Sequence, residues 1–459
     1  MITYIKINGF KSFHNFEMVF TPFTVVAGLN AAGKSNLFDA LKLLTRMAET
    51  DNLKKAFKEQ RGEFTELFTQ YHDHDYATEM EFCIEMLVNK DVKDVWGNEA
   101  TLKYTRLRYE IKIKRLINSS GIEDLIVTYE HLENLKHGKD QWVKIIPGNY
   151  LEEWRPKVRT GKRGIPYIQT IEENGIPTVL VPQDGTTGNK RRFPLKNATR
   201  TVLSTFDTID FPHVFAAKEE MRSWKYLQLN PEDLRQPTSK STGTDTISQS
   251  GKNLAAALYR IKQEDNYTLK EITRKLQNFL PHFTQLEVID DKENKQYLIK
   301  LRDKDSKEYT SRVLSEGTLR ILALCIMDFD DRHTGLLCFE EPENGIHPFR
   351  INDMADLLKD LSTDFSDEML PLRQVIVNTH SPVLLGRINS WKDNHFVSIW
   401  FAQMKQRITN IKGGRIDLPV TGILPVVREN LQLLLDFTEQ ETKLGLTAVR
   451  NYLNTANNI

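Results

Sequence analysis

The run Gly28-Leu29-Asn30-Ala31-Ala32-Gly33-Lys34-Ser35 fits the pattern GxxxxGK[ST], and it constrains the fold more than any other feature of the chain. An apolar stretch, Phe23-Thr24-Val25-Val26-Ala27, precedes it. An apolar-periodic segment from Lys34 to Met47 follows, with Leu37, Ala40, Leu41 and Leu44 on one side. That order predicts a strand, a tight loop and a helix. Small residues let backbone N–H groups curl around a phosphate chain, and the helix N-terminus adds a favourable field. Lys34 brings a point charge to the β- and γ-phosphates, and the Ser35 hydroxyl is a ligand for Mg²⁺. Gly28, Asn30, Ala31, Ala32, Gly33, Lys34, Ser35 and Asn36 are therefore the candidate phosphate-binding residues.

A second motif lies about 300 residues downstream, far beyond the few βα units that usually separate two such motifs. Leu336-Leu337-Cys338-Phe339-Glu340-Glu341-Pro342 is an apolar strand ending in two acids. In α/β proteins the carboxyl edge of the sheet is where ligands bind. Glu340 can hold Mg²⁺, directly or through water, and Glu341 can orient or deprotonate an attacking water. Alone, such an acid pair is an ordinary solvated strand end. Behind a phosphate loop it becomes the other half of one nucleotide domain, split by large insertions.

Composition narrows the remaining possibilities. The chain has 459 residues, 62 basic against 62 acidic side chains, and three cysteines. The balanced charge removes the crude argument for a nucleic-acid coat. Cys83, Cys325 and Cys338 are far apart and form no CxxC, so neither a zinc ribbon nor a disulfide framework is expected. Apolar runs are too short to span a bilayer, no secretory leader opens the chain, and a cytoplasmic location is expected. No internal repeat or long heptad run is present. Strands are expected at Leu125–Tyr129, Trp142–Ile146 and Thr178–Val181, interrupted helix over 194–222, and a mobile loop over Gln236–Gly251, which is rich in Ser, Thr and Gly. The basic runs Arg155–Arg163, Lys190–Arg192 and the cluster Lys405, Arg407, Lys412 and Arg415 read as solvated faces before they read as phosphate contacts. His72, Asp73, His74 and Asp75 read as a polar loop before a metal site.

Two further segments carry a family resemblance. Leu314-Ser315-Glu316-Gly317-Thr318 resembles the signature motif of ABC-type ATPases, and Val375-Ile376-Val377-Asn378-Thr379-His380-Ser381-Pro382 resembles their switch-histidine loop. Phosphate loop, signature, acid pair and histidine follow one another in the ABC order. Glu340-Glu341-Pro342-Glu343-Asn344-Gly345-Ile346-His347-Pro348 is closer to the branch of RecF, OLD and SMC-like ATPases, which includes ATPases of bacterial defence loci. Ile7-Asn8-Gly9-Phe10-Lys11-Ser12-Phe13, Ser223-Trp224-Lys225-Tyr226 and Gly251-Lys252-Asn253-Leu254 resemble the same branch. Thr318-Leu319 departs from the usual end of the signature, and His347 stands where transporter ATPases often have Asp.

The resemblance implies an α/β, ABC-type P-loop ATPase with a split nucleotide-binding domain, a β-rich lobe and a helical insertion. The expected parts are 1–50 with the P-loop, 51–222 as a β-rich lobe, 223–282 as a helical lobe, 283–400 as the second half of the ATPase domain, and 401–459 as a C-terminal extension. It implies ATP and Mg²⁺ as cofactors, with Glu341, His380 and Lys34 catalytic and Ser35 and Glu340 on the metal. Two subunits would sandwich ATP, with Ser315 and Gly317 of one facing the phosphate loop of the other, and Asn344 to His347 along the seam. A Gln-bearing loop belongs near the strand Trp224 to Leu229, for which both Gln228 and Asn230 are candidates. The implied setting is a homodimer or higher homo-oligomer in anti-phage defence, working with a separately encoded nuclease or toxin. The alternatives are a RecF-like ATPase acting directly on DNA and a regulatory scaffold that holds ATP without turnover. The residues after His380 show no DxD pair of a fused nuclease, so any effector activity is expected in another chain.

Replacing Lys34 with Ala is expected to weaken ATP binding about a hundredfold or more, the worth of its charge-assisted bonds to phosphate. Isothermal titration checks this, and unchanged affinity would remove the phosphate-loop assignment.

Overall fold

A computed structural model describes residues 1–72, 75–117, 121–156, 164–183, 190–367, 371–391, 394–411, 414–426, 447–450 and 452–453. Phe23–Gly28, Gly335–Glu340 and Arg373–Thr379 are buried along almost their whole lengths. Strands buried so continuously need cover on both faces, which parallel sheets provide. They lie together in a six-stranded sheet ordered Lys225–Leu227, Gly335–Glu340, Arg373–Thr379, Phe23–Gly28, Val397–Ile411, Gly414–Pro425. The first five run parallel, and the last returns antiparallel from Val397–Ile411.

Successive side chains of these strands enter two different cores, as the pleat dictates. Val26, Leu336, Cys338, Ile376 and Trp400 face one core; Val25, Ala27, Leu337, Phe339, Val375 and Val377 face the other. The first core is closed by an antiparallel sheet of eight strands, ordered Lys190–Pro194, Ile176–Pro182, Ile168–Glu173, Glu123–Asn134, Arg106–Ile117, Glu79–Leu87, Ile2–Asn8, Phe16–Val19. The P-loop helix Lys34–Glu49 lies within it, burying Leu37, Leu41 and Leu44. The second core is covered by helices Leu254–Glu264, Asn266–Phe279, Glu316–Asp328, Ile351–Asp360 and Pro382–Asn389. A small sheet of Thr238–Ser239, Gln296–Asp303, Phe283–Asp291 and Glu308–Thr310 joins it. Among the described residues no helix is long and apolar enough to cross a membrane.

The α/β class and the split nucleotide domain agree with the expectation, whereas several boundaries differ. The break expected between 400 and 401 falls inside Val397–Ile411, because that strand pairs with Phe23–Gly28 from Val397 through Ala402. The lobe expected over 51–222 shares its sheet with Ile2–Asn8 and Phe16–Val19, so it has no boundary at 50. Lys225–Leu227, expected in the helical lobe, is an edge strand of the central sheet. Trp142–Ile145 is a 3₁₀ turn rather than a strand: the Trp142 indole N–H donates to the Phe20 carbonyl at 2.6 Å, and its ring lies under the Arg106 guanidinium. Over 194–222 only Pro212–Arg222 is α-helix, preceded by the 3₁₀ turn Leu203–Thr205. The segment expected to be a mobile loop contributes the strand Thr238–Ser239 and buries Ile247. Of the basic runs, Arg155 pairs with buried Asp140 at 3.3 Å, and Arg192 pairs with Glu173 at 2.9 Å. Residues 157–163, Lys412, and Asp73 and His74 of the acid–histidine cluster lie outside the described residues.

Glu130 ties the lobe to its far side. Its buried carboxylate accepts the backbone N–H groups of Val202 at 2.6 Å and Leu203 at 2.8 Å, and the Tyr109 hydroxyl at 3.0 Å. Burial outweighs these bonds and pushes its pKa up to about 7 from 4.5. A carboxyl with a raised folded-state value stabilises fully below the unfolded value and loses that contribution as pH rises through the folded one. Wild type is therefore expected to lose roughly 3 kcal/mol relative to Glu130→Gln between about pH 4.5 and 7.5. Urea unfolding of both proteins across that range measures it, and a pH-independent difference would contradict it.

Candidate nucleotide site

The loop Gly28–Ser35 leaves the sheet where three strands end side by side. Ala27 is level with Thr379 on one side and Phe401 on the other, and Glu340 is level with Asn378. Ala31 and Gly33 take positive φ of 62° and 83°, which curls the loop back onto the helix that starts at Lys34. The close fit at Gly33 requires glycine: a Cβ there would lie 1.8 Å from Thr421 Oγ1. Thr421 belongs to the strand Gly414–Pro425, and its hydroxyl shares a 2.6 Å hydrogen bond with Ser12, which accepts from Asn36 Nδ2 at 2.7 Å. The expected C-terminal extension thus forms the wall behind the P-loop.

Asn30, Ala31, Ala32, Gly33, Lys34, Ser35 and Asn36 line a cavity of about 310 Å³ together with Glu341 and Asn378. The Lys34 ammonium donates to the carbonyls of Gly28 and Leu29, both at 2.8 Å. Burial lowers its pKa, opposed by the charges of Glu341, Glu343 and Glu340.

Three glutamates converge on this edge, each with its own partners. Glu340 accepts from the Ser35 hydroxyl at 2.6 Å and pairs with Arg61 at 3.2 Å. Glu341 meets His380 Nδ1 at 2.9 Å and accepts from Asn344 Nδ2 at 2.9 Å. Its backbone turns the chain out of the strand at a positive φ of 48°, a conformation that costs about 1–3 kcal/mol for a residue with a side chain. Glu343 is buried and accepts from the Thr379 hydroxyl at 2.5 Å. The structure therefore brings Lys34, Ser35, Glu340, Glu341 and His380 to one place.

Ser315 and Gly317 stand elsewhere. Ser315 caps the helix Glu316–Asp328, accepting from the Thr318 N–H at 3.3 Å, and it is exposed. Neither residue lines the P-loop cavity. Gly345 packs so closely on Glu316 that a Cβ would lie 2.3 Å from its carboxylate. The turn Asn344–His347 therefore lies against the start of the signature helix. A second cavity, of about 760 Å³, opens beside the acids and is lined by Gln228, Asn230, Arg61, Arg320, Glu340 and Glu341 among others. The Asn230 side chain caps the helix Pro231–Arg235 through the Glu232 N–H at 2.9 Å. Gln228 also lines an adjoining cavity with Glu340.

The donors suit Mg²⁺, a hard cation that takes one or two protein oxygens and completes its shell with phosphate and water. Ser35 and Glu340 offer such oxygens 2.6 Å apart, and the buried Asn378 Oδ1, on the cavity wall, has no hydrogen-bond partner among the described residues. Among the described residues no three His, Cys, Asp or Glu side chains converge as a self-sufficient metal cage. Arg61 and Asn378 were not singled out from sequence. Arg61 belongs to no recognisable pattern, whereas Asn378 is legible as the polar residue that interrupts an apolar strand just before His380. Glu340→Ala is expected to retain metal-free ATP binding through Lys34 but lose most of the tightening by Mg²⁺, about tenfold in Kd. Titrations with and without Mg²⁺ check this, and an undiminished Mg²⁺ effect would take Glu340 off the metal.

Comparisons with known proteins bear on this site. No curated protein matches the chain. Among solved structures, the SMC head domain from Thermotoga maritima is similar over 93% of this chain and 99% of its own, with 12% identity and a TM-score of 0.39. An SMC head bound to the C-winged helix domain of ScpA matches over 94% of this chain and 99% of its own, with 12% identity and a TM-score of 0.49. An SMC head bound to the C-terminal domain of ScpA, derived from Pyrococcus furiosus, matches over 95% and 98%, with 13% identity and a TM-score of 0.42. The family described as "AAA domain, putative AbiEii toxin, Type IV TA system" matches residues 147–386, a segment that contains the signature helix, both acids and His380. Since that match spans more than half of the chain, the protein belongs to this AAA-domain family.

Proposed function

We propose that the chain binds Mg²⁺–ATP at Gly28–Asn36 and hydrolyses it between two copies of itself. One observation carries the reading: the Ser35 hydroxyl lies 2.6 Å from Glu340, while Glu341, the next residue, is held on His380. A structural turn has no need to bring those side chains together from opposite ends of the chain. Lys34 and the loop N–H groups bind the phosphates. Ser35 and Glu340 hold Mg²⁺, which when bound supplies positive charge to the β- and γ-phosphate oxygens. Glu341 takes a proton from the attacking water, oriented by His380 and Asn344. Gln228 fills the Gln-loop role, because the Asn230 side chain is occupied as a helix cap.

The exposed helix start at Ser315 supports a shared site. Its N-terminus is free to receive the γ-phosphate of a partner's nucleotide. The product of ATP binding is then a closed dimer, and hydrolysis opens it. The family's description names a toxin and a toxin–antitoxin system, which favours a cytoplasmic role in prokaryotic defence beside a separately encoded nuclease or toxin. DNA is the competing partner.

Glu341→Gln is expected to bind ATP with affinity within about threefold of wild type, to lose at least about a hundredfold in kcat, and to persist as a dimer on native mass measurement. Normal turnover would remove Glu341 from the base role. Mixing Ser315→Arg with Lys34→Ala chains should restore one working site of two, and no restoration would argue against sharing across the dimer. Native complexes recovered from cells expressing the neighbouring genes separate the settings: a co-purifying protein supports defence, and a bare dimer with DNA-stimulated hydrolysis supports action on DNA.

A further inference from the structure

The switch loop is held by a residue 72 positions further along the chain. His380 meets Glu341 through Nδ1. Its neighbours are fixed by core partners: Thr379 donates to Glu343, the Ser381 N–H donates to the Thr379 hydroxyl at 2.9 Å, and Ser381 caps the helix Pro382–Asn389. The His380 carbonyl, by contrast, accepts a hydrogen bond from the Tyr452 hydroxyl. Tyr452 belongs to the C-terminal segment, residues 447–450 and 452–453, whose Val449 is buried in the second core with Ala448 and Leu453 packed against it. The Tyr452 ring meets Phe401 edge-on at 5.8 Å, on the strand that flanks the P-loop strand. The phenol thus joins the hairpin wall to the backbone of the switch loop.

We propose that Tyr452 is a positioning residue for His380: it anchors the loop's carbonyl so that the imidazole stays on Glu341, and it makes the C-terminal segment a lever on ATP turnover. This rests on the proposed hydrolysis at Glu341. A peptide carbonyl fixed on one side limits rotation of the adjoining Cα, and therefore where the imidazole can point. A partner or ligand that draws the segment away would release that constraint without touching the nucleotide.

The test uses the full chain. Tyr452→Phe keeps the ring on Phe401 and removes only the hydroxyl. It is expected to lower kcat about fivefold, the worth of one neutral hydrogen bond, with KM for ATP within about twofold and the melting temperature unchanged. In a His380→Ala background the same substitution should have no further effect, because it acts through the absent imidazole. Amide exchange of a peptide covering residues 376–386 should speed up in Tyr452→Phe. An unchanged kcat, or an equal fall in both backgrounds, would overturn the proposal. Absence of ATP hydrolysis by the wild-type chain would defeat the proposed function instead; amide exchange then decides alone, and unaltered switch-loop exchange overturns the positioning role.

Discussion

Phe23–Gly28 takes its ladder hydrogen bonds from the far end of the chain, Arg373–Thr379 on one side and Val397–Ile411 on the other. The rest of the structure depends on that pairing. A strand of six residues has no stability alone. It becomes the centre of a sheet only when about 350 intervening residues fold so that both neighbours arrive in parallel. The site is a consequence. The register that sets Ala27 level with Thr379 also sets Glu340 level with Asn378, so the P-loop, the acids and the switch histidine leave one sheet edge together. A slip of one residue would turn Val26 and Ile376 out of one core and Val25 and Val375 out of the other.

The same sheet explains how a long insertion is tolerated. The antiparallel lobe is built from Ile2–Asn8 and Phe16–Val19 as well as from later strands, and it packs on the P-loop helix. Lobe and loop are therefore one body. Lys11, between the first two strands, pairs with Asp39 on that helix at 2.6 Å, and Asp39 lies 3.8 Å from Arg61, which reaches Glu340. Arg61 is largely exposed, so its pairs contribute little to stability. Their interest lies in charge placement: a cation carried by the segment after the P-loop helix stands next to one of three clustered carboxylates.

Much of this was legible in the sequence because it is local. Small residues at fixed spacing mark the P-loop, and the short apolar runs Leu336 to Phe339 and Val375 to Val377 mark buried parallel strands. The hairpin Val397–Pro425 was not legible as part of the core. Its first strand leaves the sheet as a polar run, Gln403 to Thr409, and the charges there hide the core strand at its start. Trp142 misled for a related reason. An apolar run flanked by polar residues suits a strand, but one indole hydrogen bond to Phe20 and one guanidinium contact suffice to fix a turn. Arg61 and Tyr452 meet partners far away in sequence, and no spacing rule reaches them.

The acids at the sheet edge raise a question of electrostatics that their partners answer. Glu340, Glu341 and Glu343 stand within four residues of chain, and like charges so close repel one another. Each instead has a donor of its own: Ser35 and Arg61, His380 and Asn344, or Thr379. Loading the site must therefore exchange bonds rather than fill a void. Glu340 and Ser35 would hold a Mg²⁺ in place of their mutual hydrogen bond, leaving Arg61 to answer the charge of the phosphates. Glu341 and His380 need no such exchange, because they already hold one another across the turn that Glu341 makes at positive φ. On the proposed assignment, the half of the site that would hold the metal changes with nucleotide, and the half that would handle the proton is set in advance. On the same proposal, control of turnover would lie in whatever fixes His380: the backbone of its own loop and the groups that grip it.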